Sequence, residues 1–168
     1  LYQPLISRFL SSVYCIVASS PNCTESSPVL TRFKDKVRVV PYGLDRDTYP
    51  VPSAEKSAFW RARFGERFFL FVGALRYYKG LDYLLEAAKT TQLPVVILGG
   101  GHLELELKAQ ANQLGLSDVH FLGGVPDDDK AALLSLCYAF VFPSHLRSES
   151  FGISLLEGAM YGKPMISC

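Results

Sequence analysis

Two glutamates, Glu149 and Glu157, stand eight residues apart in the stretch Phe142–Pro164, which reads FPSHLRSESFGISLLEGAMYGKP. The pattern is a strand ending at Phe142, a polar loop, and then Phe151-Gly152 leading into a helix. Backbone N–H groups at the start of such a helix lack intrahelical partners. They face the carboxyl ends of strands, where ligands bind in open α/β sheets. An anion there gains from the aligned amides, and Gly152 lets the backbone approach it closely. Glu149 falls in the loop and Glu157 about two turns into the helix. One carboxylate can then meet the near part of a ligand while the other accepts hydrogen bonds from hydroxyls further along. Taken alone, two glutamates at this spacing describe a solvated surface as readily as a site. Ser144 and His145 lie alongside, and neither is assigned as a catalyst.

Other chemistry-bearing patterns are weaker. Gly99-Gly100-Gly101 follows a strand and precedes a helix, where a phosphate loop would sit. It lacks the third glycine of a dinucleotide fingerprint, because Glu104 takes that place. Gly158 through Gly162-Lys163-Pro164 is too short for a P-loop and has Pro where Ser or Thr is required. No G-x-S-x-G elbow occurs. Cys15, Cys23, Cys137 and Cys168 are scattered, without metal-ligand spacing. They read as reduced, mostly buried fillers.

The elements that must position these groups alternate. Val13–Ala18, Val37–Val40, Phe68–Val72, Val95–Leu98, Val119–Leu122 and Phe140–Phe142 are short apolar runs that suit strands buried on both faces. Leu81, Leu84, Leu85 and Ala88 make a one-face helical stripe, and Leu103, Leu107, Ala111 and Leu114 make another. Asp127-Asp128-Asp129 supplies N-terminal caps for a third helix before Cys137. A fourth opens at Ser150 or Gly152 and runs to about Tyr161. This alternation predicts an α/β fold, a Rossmann-like parallel sheet with helices on both faces. Residues 41–66 break the rhythm with a long loop, of the kind that is functional or covers something, and a short helix around Ser57–Arg63. Residues 1–36 carry their own strand and a helix near Ser26–Phe33.

Composition bounds the rest. The chain has 168 residues, 49% hydrophobic and 20% charged, with a formal net charge of +1. That is an ordinary globular composition. It argues against a nucleic-acid partner, which usually needs a strong basic excess. No apolar run approaches the ~20 residues of a membrane span. There is no initiator Met, and Pro164–Cys168 reads as a strand barely begun. The expectation is a fragment of a larger protein.

Several segments occur in the order in which one family carries its motifs. They are Val40-Pro41-Tyr42-Gly43-Leu44-Asp45, Val72-Gly73-Ala74-Leu75-Arg76-Tyr77-Tyr78-Lys79-Gly80, Leu98–Gly101, Phe121-Leu122-Gly123-Gly124-Val125, the segment from Glu149 to Glu157, and Gly162-Lys163-Pro164. Over roughly residues 37–168 the chain resembles glycosyltransferase family 4, retaining enzymes of the two-domain GT-B architecture. Residues 37–168 then correspond to the C-terminal, donor-binding half of a GT-B fold. Residues 1–36 correspond to the tail of the N-terminal, acceptor domain.

The resemblance implies a retaining hexosyltransferase that uses a GDP- or UDP-linked sugar, mannose among the candidates, in lipopolysaccharide or polysaccharide biosynthesis. Lys79 is expected to clamp the diphosphate and stabilise the leaving group. Ala74 stands where the family usually has Arg, and Arg76 is expected to compensate. Glu149 is expected to contact hydroxyls of the transferred sugar, and Glu157 those of the ribose. Gly73, Gly101, Ser150, Phe151, Gly152 and Ile153 complete the donor site. Val125 meets the base through its backbone and Lys130 approaches it. No metal and no separate cofactor is implied. The acceptor, a glycan or a lipid-linked glycan, is met through the remainder of the protein. Localisation is expected to be cytoplasmic, with peripheral contact at the inner face of a membrane. A non-catalytic nucleotide-sugar-binding module and a nucleotide-sugar epimerase are the alternatives. The isolated chain is expected to bind nucleotide but to transfer sugar poorly or not at all.

Overall fold

The computed structural model describes residues 2–146, 148–149 and 151–168. The chain divides into two compact units, Leu1–Gly43 and Leu44–Cys168.

The first unit holds α1 (Gln3–Ser12), β1 (Ile16–Ala18), α2 (Pro21–Ser26), α3 (Pro28–Thr31) and β2 (Val37–Val39). β1 and β2 pair in parallel, Ile16 opposite Val37. Val37–Val39 completes the first unit's sheet. The helix expected near Ser26–Phe33 is the single turn of α3, which starts at Pro28 behind the Ser27 cap, and α2 ends at Ser26, where that range begins. α1 carries its own signal in Leu5, Ile6, Phe9 and Leu10. Lys36 Nζ closes its C-terminus, donating to Ser11 O at 2.6 Å and Val13 O at 3.0 Å. The two strands are not buried on both faces as expected. Val17 is 65% exposed, and among the described residues of this unit only Ala18 and Val37 are buried. A two-stranded ribbon in 43 residues has too little chain to cover itself.

The second unit is a doubly wound sheet. Its strands are β3 (Phe69–Val72), β4 (Val95–Leu98), β5 (Val119–Gly123), β6 (Ala139–Phe142) and β7 (Met165–Ser167). All pair in parallel, in the order β5-β4-β3-β6-β7. Its helices are α4 (Ala54–Phe64), α5 (Leu81–Thr91), α6 (Glu104–Gln113), α7 (Asp127–Leu136) and α8 (Ile153–Met160). Side chains alternate across the sheet with a period of two. Leu70, Val96, Leu98, Phe140 and Phe142 form one core with Trp60 of α4, Ala132, Leu133, Leu134 and Leu136 of α7, and Leu155 of α8. Phe71, Val95, Ile97 and Val141 form the other with Leu81, Leu84, Leu85 and Ala88 of α5 and Leu107 and Ala111 of α6. Both helical stripes anticipated in the sequence face this second core.

Two local expectations are corrected. The acidic triplet does not cap α7: Asp127 is already its first helical residue, and Pro126 precedes it without a side-chain cap. Asp128 instead accepts the backbone N–H of Ser53 at 3.3 Å, and Asp129 accepts from α4, so the triplet staples α4 to α7. The cysteines are not mostly buried. Cys15 and Cys168 are exposed, Cys23 is half-buried, and only Cys137 is buried. Burial pushes the Cys137 thiol up to about 11, so it stays protonated and unreactive.

Candidate functional site

From β3 the chain moves outward on one side through β4 and β5, then returns to start β6 on the other side of β3. The crevice between the carboxyl ends of β3 and β6 is therefore the topological switch point, where open α/β sheets hold ligands. Two loops border it, residues 73–80 after β3 and 143–152 after β6. They are pressed together at Gly80, which has a φ of +66° and caps α5. A Cβ there would stand 2.1 Å from the carbonyl oxygen of Pro143. No other residue fits.

That approach brings Lys79 to Glu149. Lys79 Nζ donates to Glu149 Oε2, the two side chains being 11% and 19% exposed. The ammonium also lies over the rings of Tyr78 and Phe142, 5.5 and 5.2 Å from their centroids. Ser144 Oγ reaches Glu149 Oε2 at 3.4 Å, and the Gly152 N–H donates to Glu149 Oε1 at 3.2 Å. Gly152 is the N-cap of α8 with a φ of +79°, and a side chain there would press on Phe142. Glu149 thus ties together the β3 loop, the β6 loop and the start of α8. The arrangement is a partly buried cation held by a single carboxylate beside two aromatic faces, so an anionic ligand can take over the carboxylate's place.

Glu157, just over one turn into α8, is buried. Its Oε1 accepts from Lys130 Nζ at 3.0 Å and from the Tyr49 hydroxyl at 3.1 Å. Lys130 also pairs with Asp127 at 3.3 Å. Burial alone would lower the Lys130 ammonium, but the hydrogen bond and charge of Glu157, with help from Asp127, hold it above the ordinary lysine value. The Tyr49 phenol is raised above its ordinary value by burial and then by the negative charge of Glu157, so it remains a donor at neutral pH.

The remaining predicted residues fall in three groups. Gly73 borders the Lys79 side chain. Phe151, Gly152 and Ile153 stand at the start of α8, with the Gly152 amide already held by Glu149. Val125 packs on the first core just after β5. Gly101 has a packing reason of its own. A Cβ on it would lie 2.5 Å from Leu75 O, and one on Gly99 would lie 2.1 Å from Gly73 O. The glycine triplet lets two neighbouring strand-end loops touch, with Leu75 N–H donating to Gly100 O at 3.0 Å. Arg76 is not brought to the cluster. It is exposed and lines a crevice with Asp82, Glu106 and Gln110 between α5 and α6. β3 ends at Val72, so Arg76 lies beyond the strand and does not stand in for the Arg that Ala74 replaces. Ser150 lies outside the described residues.

Tyr49 was not anticipated. Its signal was the long segment 41–66, expected to be functional or to cover something. The segment is pinned to α8 by the Tyr49–Glu157 bond and, one residue later, by Tyr161, whose hydroxyl donates to Pro50 O at 2.8 Å. Two D-x-D spacings occur, Asp45–Asp47 and Asp127–Asp129. Asp45 caps a single 3-10 turn, and Asp129 is committed to Trp60 and Lys56. No group of three or more His, Cys, Asp or Glu that could hold a metal ion occurs among the described residues. Among the described residues, no helix is long and apolar enough to cross a membrane. A hollow of about 600 Å³ lies at the opposite, amino-terminal edge of β4 and β5. Its polar lining residues, Lys89, Gln92, Ser117 and Asp118, are all exposed, and it presents no buried charge to a ligand.

Fold and cluster together define a doubly wound α/β domain with a charged cleft at its switch point. The chain belongs to the glycosyl transferases group 1 family, whose model matches residues 53–168. It is 64% identical over 167 residues to the D-rhamnosyltransferase WbpZ of Pseudomonas aeruginosa, spanning 99% of this chain and 44% of that protein. It is 56% identical over 168 residues to the O-antigen chain mannosyltransferase C of Escherichia coli, spanning 100% and 45%. The chain thus covers less than half the length of these two curated relatives. The Anabaena protein HepE, solved in complex with UDP-glucose, shares the fold with a TM-score of 0.82 at 20% identity. That match covers 98% of this chain and 47% of HepE. The five-stranded parallel sheet with helices on both faces is therefore half of a GT-B fold.

Proposed function

We propose that residues 44–168 form the nucleotide-sugar donor half of a retaining hexosyltransferase acting in lipopolysaccharide or polysaccharide biosynthesis. Residues 1–43 would be the tail of its acceptor domain. The observation that carries this reading is the Lys79–Glu149 pair at the switch point, with Glu157 eight residues beyond Glu149, just over one turn into α8. A nucleoside diphosphate laid across the cleft gives its diphosphate to Lys79 and the α8 amides, and its ribose hydroxyls to Glu157. Glu149, released from Lys79, accepts hydroxyls of the transferred sugar. Lys79 then stabilises the charge that develops on the departing diphosphate, where a fixed cation contributes most. Val125 and Lys130, after β5 and on α7, border the base.

The sugar class follows from the two relatives. D-rhamnose is 6-deoxy-D-mannose, so both are named for transferring sugars of manno configuration. A manno-configured hexose donor is the reading these names support for this chain. The acceptor is a glycan or lipid-linked glycan met through the rest of the protein.

Calorimetric titration of the chain with GDP, UDP and ADP tests the site. Saturable binding of one nucleotide is expected, weakened about tenfold or more in Glu157→Ala and in Lys79→Ala. Binding of none of the three, or binding indifferent to both substitutions, would overturn the assignment. The chain alone is expected to bind but not to transfer, and measurable transfer by it would contradict the division of labour proposed here.

A further inference from the structure

The two oxygens of the Glu157 carboxylate are in different circumstances. Oε1 accepts both the Tyr49 hydroxyl and the Lys130 ammonium. Oε2 takes no hydrogen bond among the described residues, and it is not among the buried oxygens left without a partner. Two donors on one oxygen fix the rotation of the carboxylate about its last bond, a torsion that is otherwise broad. They leave the other oxygen for a ligand.

We propose that Tyr49 is a positioning residue for ribose recognition: by holding Oε1 together with Lys130, it presents Oε2 of Glu157 to a ribose hydroxyl. This rests on the donor-site reading above. Tyr49 does not touch the ligand in this scheme and acts only through Glu157. It is delivered by the segment after residue 43, far from Glu157 in sequence, and that segment is anchored a second time by the Tyr161–Pro50 bond. The second anchor fixes the phenol's position independently of the bond it makes to Glu157. Lys130 alone does not suffice, because it is shared with Asp127 and sits on a flexible stem.

The test compares ribose with a sugar lacking the hydroxyls. GDP and 2′,3′-dideoxy-GDP, with UDP and its dideoxy analogue in parallel, are titrated into the wild-type chain, Tyr49→Phe and Tyr161→Phe. Tyr49→Phe removes one hydroxyl and keeps the ring. It is expected to weaken the ribonucleotide about fivefold while leaving the dideoxynucleotide unchanged. Tyr161→Phe removes the bond to Pro50 and leaves both donors on Glu157 Oε1 in place. It is expected to leave the ratio of the two affinities as in wild type. Wild-type chain that binds neither ribonucleotide overturns the donor-site reading and this proposal with it. Wild-type chain that prefers ribose, with the preference intact in Tyr49→Phe, overturns this proposal alone. So does an equal loss of both ligands in Tyr49→Phe, which marks a structural role only.

Discussion

Two buried carboxylates lie on the same side of the sheet, and each is held by one lysine and one aromatic donor. Asp129 on α7 accepts the Trp60 indole N–H at 2.8 Å and Lys56 Nζ at 3.0 Å. Glu157 on α8 accepts the Tyr49 hydroxyl and Lys130. The difference lies in what the partners can do. An indole N–H donates only, comes from a rigid ring that is itself 6% exposed, and has no alternative partner if the carboxylate leaves. A phenol can accept as well as donate, and Lys130 keeps Asp127. Asp129 therefore serves as a fastener between α4 and α7. Both oxygens of Asp129 are taken, whereas both donors of Glu157 sit on Oε1 and its Oε2 takes no hydrogen bond among the described residues. Burial and pairing alone do not mark a site. The unused oxygen does.

Removing each carboxylate is the strongest way to break the comparison. Asp129→Ala strands the Trp60 N–H in the core and loses a hydrogen bond to a charged acceptor. It is expected to cost about 2–3 kcal/mol of unfolding free energy in urea, with nucleotide affinity unchanged in whatever remains folded. Glu157→Ala is expected to shift stability by less than about 1 kcal/mol in either direction, because both partners find other hydrogen bonds. Equal stability losses in the two variants would erase the distinction.

Asp129→Asn is a smaller and sharper change. The amide oxygen still accepts from Trp60, so what is lost is the charge facing Lys56, at a cost of about 1 kcal/mol at pH 7. Burial would raise the Asp129 carboxyl, but the hydrogen bonds from Lys56 and Trp60 outweigh it and hold it below the ordinary aspartate value. In the unfolded chain the carboxyl takes up its proton first, near pH ~4. The wild-type advantage over Asp129→Asn is therefore complete above that pH and disappears as pH falls through the folded value. Urea unfolding of both proteins at pH 7, 5 and 3 measures it. A gap that stays constant down to pH 3 would show that the Asp129 charge contributes nothing.

The same contrast explains what was legible in the sequence. Continuous apolar runs marked β3, β4 and β6 because a strand covered on both faces needs nothing else. The stripes of α5 and α6 were read because each faces a single core. The glutamate pair and Lys79 were read from motif order, and the fold brings Lys79 to Glu149. Long-range partners left no periodic trace. Nothing in Asp127-Asp128-Asp129 distinguishes a helix cap from a fastener, since Trp60 and Lys56 lie about seventy residues away in the chain. Tyr49 sits in a stretch without regular structure, and its partner is 108 positions on. The place of Arg76 leaves no trace either, because β3 stops at Val72 and the loop beyond it has no period.

The smallest effect belongs to Lys56, and it decides how the fastener works. The Lys56 side chain is 40% exposed, so its charge is screened by water and salt. The hydrogen bond it donates to Asp129 raises the Lys56 ammonium above its ordinary value despite the opposing effect of burial, so whatever it contributes is present at neutral pH and lost only in strong base. If the Trp60 indole is the main tie, Lys56→Met changes stability less than Asp129→Asn does, because it leaves the Trp60 bond to an ionised carboxylate intact. The difference from wild type should also shrink between low salt and 0.5 M salt. A loss as large as that of Asp129→Ala, unaffected by salt, would assign the fastening to the ion pair. The contrast with Glu157 would then fail, since both carboxylates would depend on a lysine that a competing charge can draw away.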